Sequence, residues 1–303
     1  MEAAVRYRNR YTGAVETEAV YGEAWLRWTY DTPLGRLALR ALVKRRCFSK
    51  VYGWLMDRPR SARRIEPFIR KYELDTSEFI ERPEEFRSFN EFFCRRLKPE
   101  ARPIDPDEQA LCFPADGRHL GFADADSANS VYVKGQRWDL PALLGGEAAA
   151  APYRGASALI SRLCPTDYHR FHAPASGTVA KRRPLAGPLR SVSPLALSRS
   201  AAPLWSNKRV VLEIDSPACG RYAFVAIGAT CVGAVSVVPE PGARVAKGEE
   251  LGCFAFGGSC VICLFPAGRA ALEPDLLARP DEAPELYARM GERAGRAKRP
   301  PNQ

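Results

Sequence analysis

The chain has 303 residues, 46% hydrophobic and 10% aromatic, which is enough apolar material for one large or two ordinary domains and excludes a disordered polymer. Its formal net charge is +10, and residues 1–60 carry much of it, with twelve Lys and Arg against six Asp and Glu. Such an excess suits nucleic acid, anionic lipid or a solvated basic face. No run approaches the eighteen apolar residues of a membrane span, and the three arginines of Met1 to Arg10 precede no apolar stretch, so neither a transmembrane helix nor a signal peptide is predicted.

Nine cysteines, an odd number at scattered positions, argue against a disulfide framework and for reduced thiols. The chain therefore reads as cytosolic, or as peripheral on the cytoplasmic face of a membrane. Thr32-Pro33 is a helix start, followed by Leu34, Leu37, Ala38, Ala41 and Leu42 on one face and Arg36, Arg40 and Lys44 on another. With Trp25, Trp28, Tyr30, Tyr52 and Trp54 around it, the stretch from Pro33 to Lys50 suits a helix in a membrane interface; packing on the core is the other reading. A second helix is predicted from Ala62 to Tyr72. A third starts at Ser88, where Glu91 completes a capping box ahead of Phe92, Phe93 and Leu97, and the prolines from Pro99 to Pro106 close it.

Residues 1–105 are thus predicted mainly helical and residues 106–303 β-rich, with strands at Val210 to Ile214, Tyr222 to Ile227, Val232 to Val238, Leu251 to Phe256 and Val261 to Phe265. The fold class is α+β, a helical N-terminal region packed on a β-rich core. Residues 241–252 read as strand, turn, strand and are similar to the hairpin of biotinyl and lipoyl carrier domains, which suggests a barrel or sandwich, although the carrier lysine motif is missing. Residues 184–208, rich in Pro, Ser and Ala, read as a mobile loop or a lid.

Three segments carry chemistry. Gly257-Gly258-Ser259 lies between two apolar runs, where glycine permits a sharp bend beside a hydroxyl nucleophile; a turn or bulge is the plain alternative. His169 and His172 are two of only three histidines. Pro165 and Pro174 disfavour a helix there, so the two rings point to opposite faces of an extended segment as separate bases, rather than joining as metal ligands on one helix face. Asp116, in Pro114-Ala115-Asp116-Gly117, supplies an acid. Cys260 and Cys263 form a lone C-x-x-C in an apolar strand and read as core packing.

These motifs, in this order, resemble those of the phosphatidylserine decarboxylases, a self-processing pyruvoyl-dependent family. The resemblance runs from Arg87-Ser88-Phe89-Asn90-Glu91-Phe92-Phe93 through Pro114 to Gly117, Asp167-Tyr168-His169-Arg170-Phe171-His172-Ala173-Pro174, Asn207 to Val210 and Val225 to Gly233, and ends in Glu249 to Phe265. It implies that Asp116, His172 and Ser259 act together in cutting the Gly258–Ser259 bond. Residues 1–258 would separate from residues 259–303, the two pieces staying associated, and Ser259 would become an N-terminal pyruvoyl group. That group would form a Schiff base with the amine of phosphatidylserine, with His169 as the proton donor and no metal required. Phosphatidylserine in an anionic membrane is the implied partner, nucleic acid is not, and a homodimer is compatible. A biotinyl or lipoyl-like carrier and a metal hydrolase built on His169 and His172 are the competing readings.

Overall fold

A computed structural model describes residues 6–18, 32, 46–126, 138–197, 200–229, 235–257, 259–277 and 285–298. The amphipathic helix predicted from Pro33 falls outside them except for its end, and so does Gly258.

Among the described residues the architecture is α+β, organised around one ten-stranded sheet. Its strands run in the order Arg244–Val245, Gly177–Leu185, Arg209–Ser216, Gly220–Gly228, Ser259–Phe265, Ser157–Leu163, Gly117–Phe122, Glu285–Ala288, Arg6–Asn9 and Val15–Thr17. Ser259–Phe265 lies deep inside the sheet, antiparallel to a neighbour on each side, and all seven of its residues are buried. Strand alternation splits its side chains between two cores: Val261, Cys263 and Phe265 on one face, Cys260, Ile262 and Leu264 on the other. The two cysteines are therefore packing residues, as the sequence suggests. Each large apolar side chain buried here contributes about 1.5–3 kcal/mol.

The first of these cores is closed by two three-stranded sheets. One comprises Val235–Val237, Glu250–Phe254 and Arg170–His172; the other comprises Ala270–Leu272, Arg293–Ala297 and Ala110–Cys112. Short helices, among them Leu140–Leu144, Pro194–Leu197 and Pro203–Ser206, close the second. Residues 184–208, read as a loop or lid, thus put Val192, Leu197, Leu204 and Trp205 into a core. The two strands found in residues 241–252 do not pair with each other. Arg244–Val245 joins the large sheet, while Glu250–Phe254 joins a small one, and the arrangement is an open sheet with small sheets against it rather than a closed barrel.

The N-terminal region contains the helices Arg46–Asp57, Ile65–Tyr72 and Phe89–Phe93, the second preceded by a 3-10 turn, Pro59–Arg64. Ser88 caps the third as predicted, its side chain accepting from Glu91 N at 3.1 Å, while the Glu91 carboxylate reaches back to Arg87 N at 2.6 Å. Met56, Ile65, Phe68, Phe79, Phe86, Phe89, Phe92 and Phe93 gather around Phe256, so the aromatic core of the helical region encloses a residue three positions before Ser259. Not all of this region is helical: Arg6–Asn9 lies parallel to Glu285–Ala288, and through it the start of the chain extends the large sheet.

Candidate active site

Ser259 is the first residue of the buried strand, opposite Leu163 on one side and Gly228 on the other. It is fully buried, and among the described residues its Oγ has no hydrogen-bond partner. The alternation that puts Val261 towards the first core carries Ser259 to the same face, the one covered by the small sheet that contains Arg170–His172. The approach to the strand is fixed from the helical side. Phe256 N donates to Asn90 Oδ1 at 2.9 Å, and the Phe256 ring packs edge-on against Phe89 and Phe93, each 5.0 Å between centroids. Gly257 then takes φ 142°, a conformation open to glycine and strained for other residues.

The histidine segment is extended, as its flanking prolines imply. Its entry turn is locked by Asp167, whose carboxylate accepts from Arg118 Nη1 at 2.6 and 2.7 Å and from Cys164 N at 2.7 Å. His169 follows, wholly buried, with Nδ1 2.9 Å from Asp167 O and its ring tilted against Phe93, 3.9 Å between centroids. Phe254 N donates to His169 O at 3.0 Å, and the ring interacts with the Gly257 backbone, so His169 sits beside the segment leading into Ser259. His172 pairs with Glu250 across the small sheet, and its Nδ1 lies 2.9 Å from Gly248 O. A carbonyl can only accept, so both rings carry their proton on Nδ1 and present a lone pair at Nε2. Among the described residues neither buried Nε2 atom has a hydrogen-bond partner. Burial pushes the His169 pKa down to about 3 and lowers that of His172, so both rings are held neutral.

Asp116 is also buried, but its hydrogen-bonding partners lie elsewhere. Arg102 Nε is 2.9 Å from both carboxylate oxygens, Arg102 Nη2 donates to Oδ2 at 2.6 Å, and Met290 N donates to Oδ1 at 2.9 Å. Its charge acts on His172 through space, favouring a proton on that ring. Sequence reasoning did not single out Arg102, Arg118 or the Gly248 carbonyl, because each acts across a fold contact that no local spacing records. Among the described residues no group of three or more His, Cys, Asp or Glu side chains is gathered as a metal site.

Among the described residues the buried Ser259 hydroxyl has no hydrogen-bond partner; Gly257 before it takes a positive φ, and the sheet that carries the two imidazoles covers its face of the strand. Residues 89–296 match the family profile for phosphatidylserine decarboxylase. The chain belongs to the phosphatidylserine decarboxylase family. Relatives named phosphatidylserine decarboxylase proenzyme include that of Desulfitobacterium hafniense strain Y51, 40% identical over 96% of this chain and 98% of the relative. That of Clostridium perfringens strain SM101 is 38% identical over 96% and 99%, and that of Clostridium botulinum strain Kyoto is 37% identical over 97% and 100%. All four residues that the decarboxylase resemblance singles out, Asp116, His169, His172 and Ser259, are buried, and three of them present an unpaired polar atom.

Proposed function

We infer that the protein is a phosphatidylserine decarboxylase, a carboxy-lyase that releases CO2 from phosphatidylserine and leaves phosphatidylethanolamine, and that it matures by cutting itself between Gly258 and Ser259. The similarity to the proenzymes over nearly the whole chain carries the activity. The unpaired Ser259 Oγ and histidine Nε2 atoms support the site.

In the uncut chain, Ser259 Oγ attacks the carbonyl carbon of Gly258 and an imidazole Nε2 takes the hydroxyl proton. This role falls to His172, whose protonated form the Asp116 charge favours. The peptide becomes an ester. Elimination across Ser259 then frees the carboxylate of residue 258 and leaves a dehydroalanine, whose imine tautomer takes up one water and releases ammonia to give a pyruvoyl group at residue 259. That group supplies a keto carbon for the substrate amine and a sink for the electrons left by the departing carboxylate. His169 takes a proton from the substrate ammonium at Nε2 and returns it to the α-carbon after CO2 leaves. Residues 259–303 retain their place after scission because Ser259–Phe265 is hydrogen-bonded along both edges by the larger piece.

A lipid substrate requires access to a bilayer, and the helical region offers it. On Arg46–Asp57, the residues Val51, Trp54 and Leu55 lie on one face and are 57%, 53% and 45% exposed, with the Arg58 guanidinium 4.0 Å over the Trp54 ring. Next to this face, Met56, Phe68, Phe89 and Phe256 line a cavity of about 390 Å³ bordered by Arg63, Arg64 and Lys71. An apolar floor with a cationic border suits an acyl chain and an anionic headgroup, and it lies close to the segment preceding Ser259. Among the described residues no helix is long and apolar enough to cross a membrane; a peripheral position on the cytoplasmic face of an anionic membrane is the reading adopted. Under it, residues 1–105 serve as the membrane-proximal basic region and residues 106–303 as the catalytic domain.

The test is turnover on vesicles containing carboxyl-labelled phosphatidylserine. Purified protein should release labelled CO2 without added cofactor, and Ser259→Ala should release none. Equal release by both would refute the assignment.

A further inference from the structure

His169 and Arg95 meet at one atom. The Asp167 carbonyl oxygen lies 2.9 Å from His169 Nδ1 and accepts from Arg95 Nη2 at 3.3 Å. Arg95 is 4% exposed and lies over the rings of Phe79 and Phe92, 4.9 and 5.2 Å from their centroids. No carboxylate forms an ion pair with it among the described residues, and its Nε and Nη1 have no hydrogen-bond partner. Two residues upstream, Phe93 covers the face of the His169 ring. One short stretch of chain therefore fixes the ring by its face and by the acceptor of its Nδ1 proton. A buried guanidinium without a carboxylate is expensive to keep, and that expense calls for a use.

We propose that Arg95 is a positioning residue for His169, which donates to the same carbonyl oxygen and so locks the ring orientation and the tautomer that leave Nε2 open beside Gly257. The proposal rests on the reading of His169 as the proton carrier. With the carbonyl also bound by Arg95, the ring cannot turn over without giving up its hydrogen bond to that oxygen. The neighbouring charges are spoken for elsewhere: the Asp167 carboxylate by Arg118, Arg170 by Glu250, and Asp116 by Arg102. Arg95 has no direct ion-pair partner among the described residues, Asp116 and Asp167 acting on it only through space, and its field disfavours the imidazolium. A proton accepted at Nε2 is therefore readily passed on.

The chain has three histidines, so selective 15N labelling of their rings gives a spectrum that can be assigned by loss of one ring in His169→Gln. The sample is the full-length chain carrying Ser259→Ala. His169 should appear as a single neutral tautomer protonated at Nδ1 and should not titrate between about pH 5 and 8. In Arg95→Gln it should become a mixture of tautomers, with its midpoint raised by about one pH unit or more, while His119 stays unchanged. Arg95→Lys keeps the charge without the planar fork and should mix tautomers with a smaller rise. In cleaved protein the same variants should shift the pH profile of kcat and leave KM near its original value.

Wild-type His169 resonances in both variants would overturn the proposal, as would changes spread equally over His119. Should Arg95→Gln fail to fold, Arg95→Lys decides alone by its tautomer ratio. Normal turnover by His169→Ala would instead remove the role of His169 and leave the geometric result standing, so the two failures are distinguishable.

Discussion

The His119 ring is satisfied at both nitrogens, Nδ1 lying 2.9 Å from Ser161 Oγ and Nε2 3.1 Å from Ala288 O, whereas His169 and His172 each have one nitrogen engaged and Nε2 unpaired. Burial does not separate these cases, because His119 and His169 are both fully enclosed and both pushed down to about 3. What separates them is the unmet acceptor. His119 closes a hydrogen-bond account inside the large sheet and joins its strand to two neighbours. The other two rings keep a buried Nε2 that has no hydrogen-bond partner among the described residues. A buried histidine thus becomes a functional candidate through what its second nitrogen lacks, and a perturbed pKa alone does not distinguish a core residue from a base.

The sharpest way to break this comparison is to remove each group in turn. Ser259→Ala should abolish both scission and turnover, and His172→Ala should leave one uncut chain on a denaturing gel. His169→Ala should still be cut, yet lose decarboxylation by about 10²–10⁴-fold, the usual worth of a positioned acid or base; full turnover in this variant would merge it with His119. His119→Gln should be cut and active, but denaturant unfolding should show a loss of about 1–3 kcal/mol, because Ser161 and the Ala288 carbonyl are left imperfectly paired.

The last comparison concerns pH, and here the rings should behave alike. Each is neutral in the fold and would take up a proton near pH 6.5 when unfolded, so below 6.5 the unfolded state binds more protons and stability falls with pH down to about 3 for His119 and His169. The slope is about 1.4 kcal/mol per pH unit for each ring. Glu18, lowered to about 2 by Arg162 against the opposing effect of burial, adds stability that is present above 4.5 and lost as pH falls towards 2, in the same direction. Thermal melts from pH 7 to 4 should therefore show a decline that His119→Gln and His169→Gln each make shallower by one proton. A flat profile would show that the rings are not held neutral.

Much of this was legible locally. The Ser88 cap, the alternation in Val261 to Phe265 and the proline-bracketed extension of the histidine segment are short-range patterns, and each names its element. The partners of the site residues were not legible. Arg102 reaches Asp116, Gly248 O reaches His172, and the buried Arg162 joins Glu18 to Glu285, contacts that span up to 144 positions and depend on topology rather than spacing. The same limit hid the parallel pairing of Arg6–Asn9 with Glu285–Ala288 and the separate destinations of the strands in residues 241–252.

The most direct test of the central claim is the intact mass of the purified protein under denaturing conditions. Two pieces should be found, residues 1–258 and a 259–303 piece whose first residue carries a keto group in place of its amine, and Ser259→Ala should give one uncut chain. A single unmodified 303-residue species from the active wild-type protein would contradict it.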